Sequence, residues 1–390
     1  MEKTARRQQI IKWQLILGAV VCAIVAFCVL PGRVIAADVE TKTVEYVDRV
    51  WNVETNQVDT ITTDEEGNPL THECIVLTHD MLKEDSEGLQ TGWYVLDKSI
   101  NLGYSEEFKI KEGAQVNLVL KDNRTLTSTK YNSISVPHGM LTIYGQKEGT
   151  GTIKVSAEKD KVKDNIKAGI AVGAQSILNI KGGTINATGG INAAGIGGSS
   201  YNASSGVISI LGGTVKAKGG KFAAGIGGGK KGTCGTVCIY DGDVEVDGGD
   251  YGAGMGSGDE APPNHGTVCI VGGNVTVRGG KKGAGIGGGN ASSGGNISIG
   301  GGDIKAYGGD YGSGMGGGDD APAGDIKIDG GNVEAYGGKE LSGIGGDSEG
   351  TDDESGYITI AGGNIIAKKG AKTKKLFKTK GEDYDIGNED

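Results

Sequence analysis

A short glycine-rich phrase returns at nearly constant intervals, and no other feature limits the possible folds as strongly. It reads Ala-Gly-Ile-Gly-Gly-Gly at 224–229 and again at 284–289. Met replaces Ile in the intervening copies, Ala-Gly-Met-Gly-Ser-Gly at 253–258 and Ser-Gly-Met-Gly-Gly-Gly at 313–318. After each copy come a variable stretch and a strand-like alternation such as Ile297-Ser-Ile299, then a glycine turn. A second alternation such as Ile304-Lys-Ala306 follows and closes at Gly-Gly. Each repeat, of about 29–32 residues, thus supplies three short strands and three turns. A unit that small cannot bury its own apolar face. It gains stability by stacking on its neighbours, and stacked three-strand coils form a parallel β-helix.

Alternation assigns the faces. Ile210, Ile239, Ile270, Ile299, Ile328 and Ile360 are equivalent and should stack inward, as should Val215, Val244, Val275, Ile304, Val333 and Ile365. Ile196, Ile226, Met255, Ile286, Met315 and Ile344 form a third inward row. Each buried Ile or Val contributes on the order of 1.5–3 kcal/mol. The chain has 75 Gly in 390 residues, far above the usual ~7%. Disordered chain also reaches such levels, but it does not place Ile and Val at fixed intervals. Earlier segments keep the plan with less glycine, for example Leu141-Thr-Ile143 and Leu178-Asn-Ile180. The expectation is an all-β chain. It is a single-stranded right-handed parallel β-helix of about nine three-strand coils over 91–370, Gly-rich over 165–370, with an N-terminal capping region at 37–90. A charged tail occupies 371–390.

Outward positions carry charge in rows. Lys221, Asp250, Lys281, Asp310 and Lys339 alternate in sign, so the coils come in two kinds and the true period is double. Stacked neighbours attract, and a slip by one coil would set like beside like. With Ile or Met inward in the Gly-x-Gly-[Ile/Met]-Gly strand, either its glycines face outward and leave one side of the rod nearly bare, or they supply the positive φ of a tight corner.

The N-terminus reads as an export segment. A basic start precedes an apolar run from Trp13 to Leu30, Pro31-Gly32 breaks it, and small residues at Val34-Ile35-Ala36 suit cleavage before Ala37. The run is also long enough to span a bilayer, so 1–36 is either a signal peptide or an uncleaved membrane anchor. The formal net charge is −10, and removing the basic start makes the remainder more acidic. That balance opposes a nucleic-acid partner, whose backbone is anionic.

Several groups are candidates for chemistry. Tyr307 and Tyr336 share an outward position in adjacent coils, with Arg278 just before them. Tyr251 and Tyr311 share a second position two coils apart, with Phe222 in the same row. Rows of rings suit the faces of a polysaccharide, and cross-coil stacking is the plainer reason for them. Asp259-Glu260 and Asp319-Asp320 sit in equivalent loops two coils apart, and the acidic run at 347–354 extends the same edge. Calcium is the cation such oxygens suit, although the spacing does not match the calcium-binding nonapeptide, and a solvated acidic rim is the plainer reading. Cys238 and Cys269 fall at equivalent outward positions in adjacent coils. Their Cα atoms should then lie about 4.8 Å apart, inside the disulfide range, making a surface disulfide the expectation. The four His are scattered and no nucleophile–base pair stands out. No glycine run opens a helix to cradle phosphate.

Gly92-Trp-Tyr-Val-Leu96, Leu141-Thr-Ile-Tyr-Gly-Gln146 and the repeated Ala-Gly-Ile-Gly-Gly-Gly resemble the Gly-rich β-helix repeats of secreted and surface proteins of Firmicutes. Those proteins are described as carbohydrate-binding-domain or adhesin-like. The resemblance covers roughly 90–370 and implies an exported, non-catalytic module whose partner is a polysaccharide or surface glycan. No wall-sorting motif follows residue 370, which points to an N-terminal anchor or free secretion. A ligand-free structural spacer is the alternative. A polysaccharide lyase or hydrolase comes third, because Arg278 is the one Arg inside the Gly-rich repeats and the coils lack long irregular loops.

Overall fold

The computed structural model describes residues 39–103, 106–128, 134–157, 167–199, 202–263, 266–339, 341–346 and 356–370. The chain forms two compact units, Met1–Val39 and Glu40–Asp390, and the described residues belong to the second apart from Val39. The expected export segment, the acidic run at 347–354 and the charged tail lie outside the described residues. Among the described residues no helix is long and apolar enough to cross a membrane.

Period-2 strands and glycine turns produce the solenoid that the repeat requires. Among the described residues three long sheets contain twelve, nine and ten strands. The nine strands of the second sheet mark nine complete coils, and a tenth coil adds Ile358–Ile360 and Asn364–Lys368. Pairing within the coils is parallel and in register. In the first sheet Ile210 faces Ile239, Ile239 faces Ile270 and Ile270 faces Ile299. In the third, Val215, Val244, Val275, Ile304 and Val333 pair in succession. In the second, Ile226, Met255, Ile286, Met315 and Ile344 do the same. All of these side chains belong to one continuous core, and the alternation read from the sequence assigns their faces correctly.

One expectation is overturned. The Gly-x-Gly-[Ile/Met]-Gly strand is buried throughout its length and leaves no bare outer face. The loop that follows each copy folds back over it. A Cβ on Gly198 would strike the carbonyl of Ala203, and one on Gly288 that of Ser292. The glycine after each Ile or Met also has a φ that side chains avoid, for instance +143° at Gly256 and +134° at Gly287. Its Cβ would meet the carbonyl of the glycine one coil on. Backbone packed on backbone accounts for the composition.

The N-terminal region does more than cover an edge. Strand β1 (Thr41–Glu45) is antiparallel to β4 (Thr71–Val76), and β4 pairs parallel with Gly92–Leu96, so the first sheet is extended by two strands beyond the coils. A single 3-10 turn, His79–Leu82, places Leu82 in the end of the core. Between β1 and β4 the chain leaves the edge as a hairpin, β2 (Asp48–Asn52) with β3 (Gln57–Ile61). The hairpin lies on the outer face of the first sheet, and an antiparallel bridge from Val47 to Gly145 starts it there.

A buried carboxylate fastens this region to the coils. Asp97 accepts from Lys121 Nζ at 2.8 Å and from Lys42 Nζ of β1 at 2.6 Å. The lysines, Lys121 first, hold its carboxyl down at about 2 against the partial cost of burial. A carboxyl depressed on folding stabilises the fold at pH values above the unfolded carboxylate range, and loses that contribution as pH falls towards 2. Asp97→Asn is expected to cost about 2 kcal/mol at pH 7. The difference between variant and wild type should shrink progressively between about pH 4 and pH 2 in urea titrations followed by fluorescence.

Candidate functional site

Tyr307 and Tyr336 stand at the end of consecutive strands of the third sheet, in register. Their rings are 5.1 Å apart and 7° from parallel, close to the coil spacing. The rings therefore face one another along the stacking direction. The outer face of Tyr307 is taken by the Arg278 guanidinium at 5.9 Å, and that of Tyr336 by Lys368 Nζ at 5.8 Å. Arg278 is held in turn by Glu245 at 2.9 Å and Asp247 at 3.4 Å. The Tyr336 hydroxyl donates to Glu334 at 2.6 Å, and that bond pushes the phenol's pKa up. The sequence is right about the row, but the geometry offers a ligand ring edges rather than ring faces.

The second row behaves differently at its two ends. Phe222 and Tyr251 stack at 5.1 Å with 23° between planes. Lys230 Nζ sits 4.2 Å over Phe222, and Lys282 Nζ lies 6.0 Å from the Tyr251 ring. Tyr311, on the far side of Lys282 in this row, is 42% exposed. Among the described residues no ring or cation lies over it.

The acidic loops are joined by side chains from neighbouring coils into a ladder. Asp259, 3% exposed, accepts from Asn290 Nδ2 at 2.8 Å and lies 3.6 Å from Lys230 Nζ. Lys282 Nζ donates to Asn290 Oδ1 at 3.2 Å and pairs with Asp319 at 2.6 Å. Glu260 pairs with Lys231 at 3.1 Å. Backbone bonds run beside this ladder, Lys231 N to Asp259 O and Ala291 N to Asp319 O, at 2.8 and 2.9 Å. The structure thus leaves the two loops two coils apart, with Asn290 and Lys282 between them. Among the described residues no group of three or more potential metal ligands converges. Of the expected alternating row, among the described residues only Lys339 and Asp310 form an ion pair, at 3.4 Å, while Lys216 and Glu245 pair at 3.0 Å in another row.

Cys238 and Cys269 are paired in register as expected, but the surface placement is wrong. Each is 5% exposed, and both thiols are free. The hairpin covers them. Trp51 and Val58 pack with Leu211, Cys238, Tyr240, Cys269 and Val271 in a cluster outside the main core, with Trp51 and Tyr240 rings 5.1 Å apart. Arg49 Nη1 donates to the Lys181 carbonyl at 2.5 Å, and Lys181 Nζ pairs with Asp48 at 2.6 Å. Sequence reasoning did not find this cover. The signal was present, because Tyr144, Leu211, Tyr240 and Val271 put apolar bulk at one outward position of the first sheet.

A family model described as Beta helix repeat matches residues 178–200, 208–230, 270–290 and 326–348. The matched segments each include the second-strand turn or the glycine corner. No curated protein and no solved structure gives a match. The chain is a parallel β-helix repeat protein on both its fold and this likeness. For the acidic ladder, millimolar calcium is expected to leave the melting temperature of the protein unchanged, since Lys230, Lys231 and Lys282 already hold the carboxylates. A rise of several degrees would show that the ladder opens around the ion.

Proposed function

We propose that this chain is an exported, non-catalytic β-helical surface module that binds carbohydrate in an adhesin-like manner. The observation that carries the reading is Tyr311, 42% exposed, over which no ring or cation lies among the described residues. Aromatic faces beside hydrogen-bonding groups are the usual means of holding a sugar. A non-catalytic role is supported by the way outward carboxylates are used. Asp259, Glu260, Asp319, Glu245 and Glu334 each hold a lysine or arginine of an adjacent coil or of their own. A hydrolase or lyase needs a carboxylate kept apart for proton transfer.

A display rod without a specific ligand is the second reading. It is favoured by the Tyr307–Tyr336 and Phe222–Tyr251 stacks, whose faces are shared with each other or with cations. The two readings separate on a glycan array followed by affinity electrophoresis in the polysaccharides that score. Carbohydrate binding predicts retention that falls at least about tenfold in Tyr311→Ala, the loss expected when a stacked ring worth ~1.5 kcal/mol is removed. Tyr307→Ala with Tyr336→Ala should instead lower the melting temperature and spare retention. No retention on any glycan would leave the display rod.

A further inference from the structure

The thiol pair under the hairpin is not explained by packing alone. The outward row of the first sheet runs Asn179, Ser209, Cys238, Cys269 and Ser298 through successive coils. Ser209 Oγ and Asn179 Oδ1 are buried there without a hydrogen-bond partner, so the strip beneath the hairpin is polar and incompletely satisfied. Two cysteines at directly paired positions of adjacent parallel strands have Cα atoms about 4.8 Å apart, within the ~4.4–6.8 Å that a disulfide spans. The hairpin that hides them lies outside the three sheets of the coils. It is a two-stranded ribbon held by the Arg49–Lys181 bond, the Asp48–Lys181 pair and the Trp51 contact, and such ribbons have little stability of their own.

We propose that Cys238 and Cys269 form a redox site, closed to a disulfide by exchange with a disulfide oxidant and gated by opening of the β2–β3 hairpin. With the hairpin down, both cysteines are 5% exposed, so a second molecule does not reach either sulfur and the closed form resists exchange. The hydrogen bond between the two thiols pushes that of Cys238 up and holds that of Cys269 down. With the hairpin lifted, one cysteine thiolate attacks a sulfur of the oxidant and breaks its disulfide bond, releasing one thiolate. The second cysteine then attacks the resulting mixed disulfide, forms the Cys238–Cys269 bond and releases the other thiolate. Two electrons pass from the cysteine pair to the oxidant, and the two cysteine protons end on its thiols. The bond staples two adjacent coils across one complete repeat.

The test uses the full-length protein in a Cys74→Ser, Cys234→Ser background, with oxidised glutathione as the oxidant. Free thiols are alkylated at intervals and the products read by intact mass and peptide mapping. The expected result is slow formation of a Cys238–Cys269 linkage, reversed by dithiothreitol, that forms at least tenfold faster in Trp51→Ala. The oxidised form should unfold at higher urea concentration than the reduced one. Because Trp51→Ala removes a half-buried ring that packs on the cluster, Arg49→Ala serves as a second variant that loosens the hairpin from the sheet. Failure of the linkage to form in wild type and both variants would overturn the proposal, as would stable glutathione adducts in its place. Equal rates in all three proteins would overturn the gating.

Discussion

The structure depends on backbone stacking on backbone at the glycine corner of each coil. There Ile226 N donates to Gly254 O at 3.1 Å, Met255 N to Gly285 O at 2.9 Å and Ile286 N to Gly314 O at 3.0 Å. Gly228 and Gly288 repeat the pattern with Gly256 and Gly316 of the next coil, each at 2.9 Å. These bonds connect coils whose corner strands are only two residues long. They need the chains close together and in register, which leaves no volume for Cβ atoms. The conformational cost of so many glycines is offset only when every coil has a neighbour.

Once the corner fixes the register, the outward side chains have little freedom in choosing partners. Residues one coil apart stand about 4.8 Å from each other. Lys339 therefore pairs with Asp310, tyrosines stack, and cysteines meet. The Lys230–Asp259–Asn290–Lys282–Asp319 ladder and the Arg278–Tyr307–Tyr336–Lys368 stack are two results of that geometry. Much of the surface chemistry is consumed in holding the coils to one another, and Tyr311 is conspicuous because no described ring or cation lies over it. The hairpin imposes the same discipline on the first sheet, where it covers outward residues from Leu211 to Val271.

The inward rows were legible because alternation and repeat act together. Ile239 and Ile270 could be matched across coils without any structure, and the register of the charged rows followed from them. What the sequence concealed were contacts that do not repeat. Nothing periodic links Trp51 to Tyr240, or Lys42 to Asp97, since residues 40–90 lie outside the repeat and their partners are far along the chain. The glycine strand was misread for a related reason. Alternation says that its glycines point away from the core, but not that the following loop returns to cover them. The cysteine pair combined both cases, with a correct register and an unseen cover.

Native-state hydrogen exchange, resolved by residue, tests the dependence on the glycine corner most directly. Amides of Ile226, Met255, Ile286 and Met315 should exchange as slowly as those of Ile239, Ile270 and Ile299 in the first sheet. All should share one opening free energy and one urea dependence, as expected if the coils open as a single unit. Fast exchange at the four corner amides, with the other two sheets still protected, would contradict the account. The corner would then be a passive connection between sheets that hold themselves together.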